Sequence, residues 1–80
     1  DVGYVANLPS QGFRRIDPTN LQENDIILMQ VETQYPNHVG ILVDGAKNLI
    51  LHHLAGQLSQ ESIYGGHWRK TTHSVWRFVG

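Results

Sequence analysis

The sequence predicts one small α+β domain, a meandering antiparallel sheet of about four strands with a short helical remnant in front. Three observations lead there. Residues 26–31 form a short continuous apolar run, Ile-Ile-Leu-Met-Gln-Val, which at six residues suits a strand buried on both faces better than a helix. Residues 38–43 and 48–53 are apolar runs separated by Asp44-Gly45-Ala46-Lys47, and that turn chemistry predicts an antiparallel hairpin. Residues 74–79, Ser-Val-Trp-Arg-Phe-Val, read as a last strand.

The remaining segments are punctuated rather than periodic. Tyr4 to Leu8 suits one or two helical turns that Pro9 and Gly12 stop, and Asp17-Pro18-Thr19-Asn20 is a turn. Residues 1–24 are therefore expected as helical remnant and loop, and 25–80 as sheet, in a single partial domain over 1–80. Gln34 to Asn37 is a loop, and 55–67 is irregular with Gly56, Gly65 and Gly66 as breakers. No repeat or low-complexity segment interrupts the chain.

Composition narrows the function classes. Eighty residues allow one modest core. Six basic against seven acidic residues give a formal net charge of −1 without a basic run, so a nucleic-acid partner is not expected. No apolar run reaches membrane-spanning length, so no membrane partner is expected either. The chain has no cysteine, which excludes disulfides and thiolate metal sites within it. Asp1 in place of a starting methionine points to processing or to a boundary inside a longer polypeptide.

The chemistry concentrates on the hairpin. Side chains alternate along a strand, so His38, Gly40 and Leu42 share one face, and Asn48, Ile50 and His52 share one face of the next strand. A three-residue turn pairs His38 with His52; a four-residue turn through Lys47 pairs it with His53. Gly40 leaves space above the sheet for another element. Two facing imidazoles suggest a base and its orienter, and such a pair demands a nucleophile. Zinc ligation by His38, His52, His67 and His73 is the weaker reading, because no helical His-Glu-His spacing, cysteine or partner carboxylate accompanies them. Ser59 and Ser62 read as turn residues, since no nucleophile elbow surrounds them. Trp68 and Trp76 read as cover for the sheet or walls of a cleft.

Asn37-His38-Val39-Gly40-Ile41, then Asp44-Gly45 and Leu51-His52-His53-Leu54, preceded by Gly12-Phe13-Arg14-Arg15 and Asn24-Asp25-Ile26-Ile27-Leu28, resembles the C-terminal two-thirds of the NlpC-type cell-wall peptidase family. The run from His52-His53-Leu54 through Leu58-Ser59 to Tyr64-Gly65-Gly66-His67-Trp68 is similar in particular to the tail-assembly proteins of lambda-like bacteriophages. That resemblance implies a papain-like fold, in which a helix bearing a nucleophilic Cys packs against an antiparallel sheet that supplies a base His and a third polar residue. It implies cleavage of peptidoglycan stem peptides, commonly between D-glutamate and the diamino acid, with no metal or organic cofactor. His38 corresponds to the base and His52 to the third residue, and these are the candidate catalytic pair.

The chain departs from the family pattern at two places. Asn24 stands where Gly commonly precedes the strand-opening Asp, a mild change because Asn tolerates a left-handed turn. The Cys and its helix lie upstream of the matching segment, so the resemblance implies a missing Cys-bearing segment as a partner. The sheet face carrying His38, Gly40 and Ile50 is then expected to be open, or covered by something outside this sequence. The site of action implied is the bacterial cell wall, from a virion tail or a prophage-encoded protein. The alternative is a non-catalytic module of the same fold for tail-tip assembly, with tail-tip proteins as partners, or for cell-wall binding.

Overall fold

In the computed structural model, residues 7–34, 36, 38–52 and 59–80 are described. Among them the architecture is mostly β. Six strands form one antiparallel sheet: β1 (Phe13–Ile16), β2 (Ile26–Met29), β3 (His38–Asp44), β4 (Leu49–His52), β5 (Gln60–Ile63) and β6 (Thr72–Phe78), in the order β1-β6-β2-β3-β4-β5. A short helix, α1 (Gly66–Thr71), precedes β6, and 3-10 turns occupy Pro9–Gln11 and Pro18–Asn20.

The apolar run at 26–29 becomes the strand it predicts. β2 lies between β6 and β3, and Ile27, Leu28 and Met29 are buried, so both of its faces are covered. Asn24, just before it, takes φ 74, the left-handed turn for which Asn is the usual substitute for Gly. Its backbone N–H donates to the Leu42 carbonyl at 2.7 Å, and Leu42 N–H donates to the Asp25 carbonyl at 3.1 Å. Those bonds tie the start of β2 to the far half of β3.

Asp25 is buried, and its carboxylate accepts three hydrogen bonds from two residues. Arg77 on β6 grips it with two bonds, Nε to Oδ1 at 2.9 Å and Nη2 to Oδ2 at 2.8 Å, and Gln22 N–H donates to Oδ2 at 2.8 Å. Arg77 Nη2 also donates to the Asn20 carbonyl at 2.9 Å. Burial alone would raise the Asp25 pKa, but the Arg77 hydrogen bonds, the Gln22 N–H and the Arg77 charge outweigh it and hold the carboxyl below its ordinary value. This clamp ties the first loop to the sheet.

The core lies on one face. Ile16, Ile27, Met29, Leu42, Ile50, Tyr64 and Val75 form a buried cluster, with Leu21, Val31 and Trp68 packed on it. The cross-strand pairs Ile16↔Val75, Val75↔Ile27 and Leu42↔Ile50 place these residues on the same side of the pleat. On the other side, Ile41 and Leu51 pair with each other and stay about two-fifths exposed.

Four expectations are corrected. The sheet has six strands among the described residues, not about four: Phe13–Ile16 pairs with β6 although Arg14 and Arg15 interrupt any apolar pattern, and Gln60–Ile63 pairs with β4 as a polar edge strand. Residues 66–67 open a helix, because Gly65 serves as its N-cap residue instead of a breaker. The hairpin takes neither expected register. Asp44 pairs with Leu49 across Gly45, Ala46, Lys47 and Asn48, and a register shift between Leu42 and Asp44 sets Gly40, not His38, opposite His52. Finally, the face expected to be open is covered from within the chain, with Ile50 fully buried and His38 at 9% exposure. The expected helical turns at Tyr4–Leu8 fall mostly on residues outside those described, as does His53.

Candidate active site

Three polar side chains run diagonally across β3, β4 and β5. His52 is opposite Gly40, so His38 lies two residues off the direct partner; Ser62 is opposite Ile50, again two residues off the direct partner of His52, which is Gln60. Diagonal neighbours on one face remain within reach of long side chains. His38 Nε2 and His52 Nδ1 are 2.8 Å apart, and His52 Nε2 and Ser62 Oγ are also 2.8 Å apart. Both are hydrogen-bond distances.

Gly40 makes room in the middle of this line. A Cβ there would stand 3.1 Å from Met29 Cε, 3.6 Å from Ile50 Cδ1 and 3.7 Å from His52 Cβ. The space expected above Gly40 for another element is therefore filled by this chain's own Met29, Ile50 and His52.

Trp68 on α1 roofs the pair. Its ring stacks on His38 with centroids 5.6 Å apart and planes 22° from parallel, and meets His52 edge-on at 4.6 Å. His38 and His52 themselves meet almost at right angles, at 5.0 Å. These separations are ordinary for aromatic contacts. Trp68 is fixed from behind: Thr71 and Thr72 hydroxyls donate to its carbonyl at 2.8 and 3.1 Å. Arg69 lies over the Tyr64 ring at 4.6 Å and donates from Nε to the Tyr64 carbonyl at 3.1 Å, while the Tyr64 hydroxyl bonds Thr72 Oγ1. The glycine-rich approach to α1 thus delivers an indole onto two imidazoles.

His52 is almost fully buried, and burial lowers its pKa from the ordinary 6.5. In the neutral form, which burial favours, it carries one ring proton. A neutral imidazole donates from one nitrogen and accepts at the other, so the two bonds it makes are coupled.

The other candidates are dispersed. His67 packs edge-on to Trp68 at 4.7 Å, away from any bond to the histidine pair, and His73 Nδ1 bonds Ser74 Oγ at 2.9 Å. Among the described residues no three His, Cys, Asp or Glu side chains gather to hold a metal ion, and no helix among them is long and apolar enough to cross a membrane. Trp76 is buried in β6 and donates to Ser74 Oγ at 2.8 Å. Ser62 is the residue that sequence reasoning passed over: it is a strand residue bonded to His52, not a turn residue. The signal available was its alternation with Gln60, legible only once β5 is known to be a strand.

Comparison with known proteins adds a lineage to this geometry. The chain is 46% identical over 67 residues to tail tip assembly protein K of Escherichia phage N15, covering 84% of this chain and 26% of that protein. It is 32% identical over 74 residues to tail tip assembly protein K of Escherichia phage lambda, covering 92% of this chain and 36% of that protein. The chain therefore spans about a quarter to a third of the length of these relatives. No solved structure matches it. Residues 5–77 match the NlpC/P60 family, and with nearly the whole chain inside that match, this protein belongs to the NlpC/P60 family.

Proposed function

We propose that this chain is the histidine-bearing sheet of a phage or prophage peptidoglycan endopeptidase, a cysteine peptidase that hydrolyses stem-peptide amides at the bacterial cell wall. The observation that carries this reading is the 2.8 Å bond between His38 Nε2 and His52 Nδ1 under the Trp68 ring. The chain has no cysteine, so the nucleophile in this proposal comes from a Cys-bearing segment outside these 80 residues.

His38 would be the base and His52 its orienter. In this proposal the proton of the thiol passes to His38 Nδ1, giving a thiolate and an imidazolium. The thiolate attacks the scissile carbonyl and Nδ1–H protonates the leaving amine, leaving a thioester; His38 then takes a proton from a water that attacks this thioester, the C–S bond breaks to release the acid, and the thiolate–imidazolium pair is restored. His52 fixes the ring's rotation and accepts from Nε2–H throughout. The stacked indole covers the two rings and keeps water from the inter-histidine bond.

The test is release of soluble muropeptides from purified peptidoglycan by the longer protein that contains this chain and a Cys. Release that disappears on replacing that Cys, and also with His38→Ala, supports the peptidase. A second reading has its own support in the relatives being tail tip assembly proteins: a non-catalytic tail-tip assembly or wall-binding module. Absence of release from a folded, Cys-containing protein would favour that module.

A further inference from the structure

The proton inventory of the diagonal leaves one position to be filled. If His38 becomes an imidazolium, both of its ring nitrogens carry protons, and Nε2–H must donate to His52 Nδ1 across 2.8 Å. Two N–H groups cannot face each other at that distance, so neutral His52 must then carry its proton on Nε2. That N–H points to Ser62 Oγ at 2.8 Å. Inside a buried pair, the opposite tautomer of His52 would turn the inter-histidine contact into a repulsion as soon as His38 is charged.

We propose that Ser62 is a positioning residue: its Oγ accepts the His52 Nε2–H and so holds His52 in the tautomer whose Nδ1 receives the Nε2–H of His38. The site is thus a relay of three side chains on three adjacent strands, His38 on β3, His52 on β4 and Ser62 on β5. This rests on the peptidase reading for its catalytic consequence, but the tautomer itself is a property of the folded chain. Ser62 lies on an edge strand and is half-buried, a location where a hydroxyl is not needed to complete the core.

The experiment compares Ser62→Thr with Ser62→Val, which share shape and strand preference and differ by the hydroxyl. In the full chain labelled with 15N in its histidine rings, the ring nitrogens of His52 should report a protonated Nε2 and an unprotonated Nδ1. Ser62→Thr should keep that pattern, and Ser62→Val should shift it toward the Nδ1–H form. In the longer, Cys-containing protein, Ser62→Val should lower kcat by about 10-fold to 100-fold with KM little changed, as loss of an orienting partner does elsewhere, while Ser62→Thr retains activity. A wild-type His52 protonated on Nδ1, or one whose tautomer is the same in both variants, overturns the proposal whatever the enzyme does. A tautomer shift in Ser62→Val, in a protein that never hydrolyses peptidoglycan, upholds the role of Ser62 and removes the peptidase reading instead.

Discussion

His52 reaches His38 across the sheet at a diagonal, past Gly40, its direct cross-strand partner. The offset matters chemically. Across this diagonal the two ring planes stand at 89°, and His38 Nε2 lies 2.8 Å from His52 Nδ1. Met29 and Ile50 close the space over Gly40, so the rings are held by packing as well as by their mutual bond. Side chains carried on packed strands are held more precisely than side chains on loops.

The first prediction separates the two imidazoles. In a longer protein that contains this chain and a Cys, as the peptidase proposal requires, His38→Ala should abolish muropeptide release while the circular dichroism spectrum stays that of the folded protein. His52→Ala should reduce release less, because water can partly replace an orienting group. Equal losses in kcat, or unchanged release by His38→Ala, would refute this division of roles.

Acid should destabilise the fold in two steps. His52 has its pKa lowered by burial from 6.5, so below pH 6.5 the unfolded chain binds a proton that the folded chain resists, and stability falls as pH drops toward the folded value. Asp25 has its pKa lowered from 3.8 despite burial, through Arg77 and Gln22, so its contribution is intact above pH 3.8 and is lost below it. Denaturant midpoints measured from pH 8 to pH 3 should show the first decline begin near neutrality, and His52→Gln should remove that limb. A midpoint that stays flat from pH 8 to pH 5 would contradict the burial argument.

Much of this was legible in the chain, and the reasons differ by element. The run Ile26-Ile27-Leu28-Met29 is apolar on both parities, and only a central strand asks for that, so β2 was readable. Alternation alone left His52 and His53 both open as partners of His38, and it was the family resemblance that pointed to His52, which the structure does bring to His38. Register was not readable. It depends on a bulge near Val43 and on Asn48 taking φ 55, and neither leaves a pattern in hydropathy. β1 and β5 were invisible because edge strands need only one apolar face, and Arg14, Arg15, Gln60 and Glu61 mask it. With β5 unseen, Ser62 could not be joined to His52. The Arg77 clamp on Asp25 joins residues 52 apart in sequence, a separation that local patterns do not report.

Alternation on β4 gives a direct test of which face is the core. Ile50 is fully buried, and Leu51 beside it is two-fifths exposed. Ile50→Ala should cost about 2–5 kcal/mol, the usual range for emptying a packed aliphatic site. Leu51→Ala should cost well under half as much. Urea unfolding of both variants reads the difference, and comparable losses would mean that the faces are assigned the wrong way round.

Removing Arg77 should be worse than removing its neighbours in the sheet. Arg77→Ala leaves the Asp25 carboxylate buried with the Gln22 N–H and without its counter-charge, and a buried charge stripped of its partner is strongly unfavourable. Arg14, directly opposite Arg77 on β1, is exposed, so Arg14→Ala should leave the melting temperature nearly unchanged. The double variant Asp25→Asn with Arg77→Ala should recover part of the loss, since a neutral amide tolerates burial better than a lone carboxylate. Equal melting temperatures for Arg77→Ala and Arg14→Ala would show that the clamp does not hold the first loop to the sheet.

The last prediction concerns the roof. Trp68 stacks on His38 and meets His52 in a T-shaped contact, so it covers both rings from α1. Trp68→Ala should admit water to the pair, so the His52 pKa rises toward 6.5 as its burial lessens, and the acid limb of the stability profile shrinks. Trp68→Phe keeps an aromatic face and should leave His52 closer to wild type. Histidine ring signals followed by NMR between pH 8 and pH 4 would give the His52 midpoint in each variant. The expected order from lowest to highest is wild type, Trp68→Phe, Trp68→Ala. A His52 midpoint unmoved by Trp68→Ala would assign the burial to the strands beneath it, and the indole would then serve packing of α1 rather than the histidine pair.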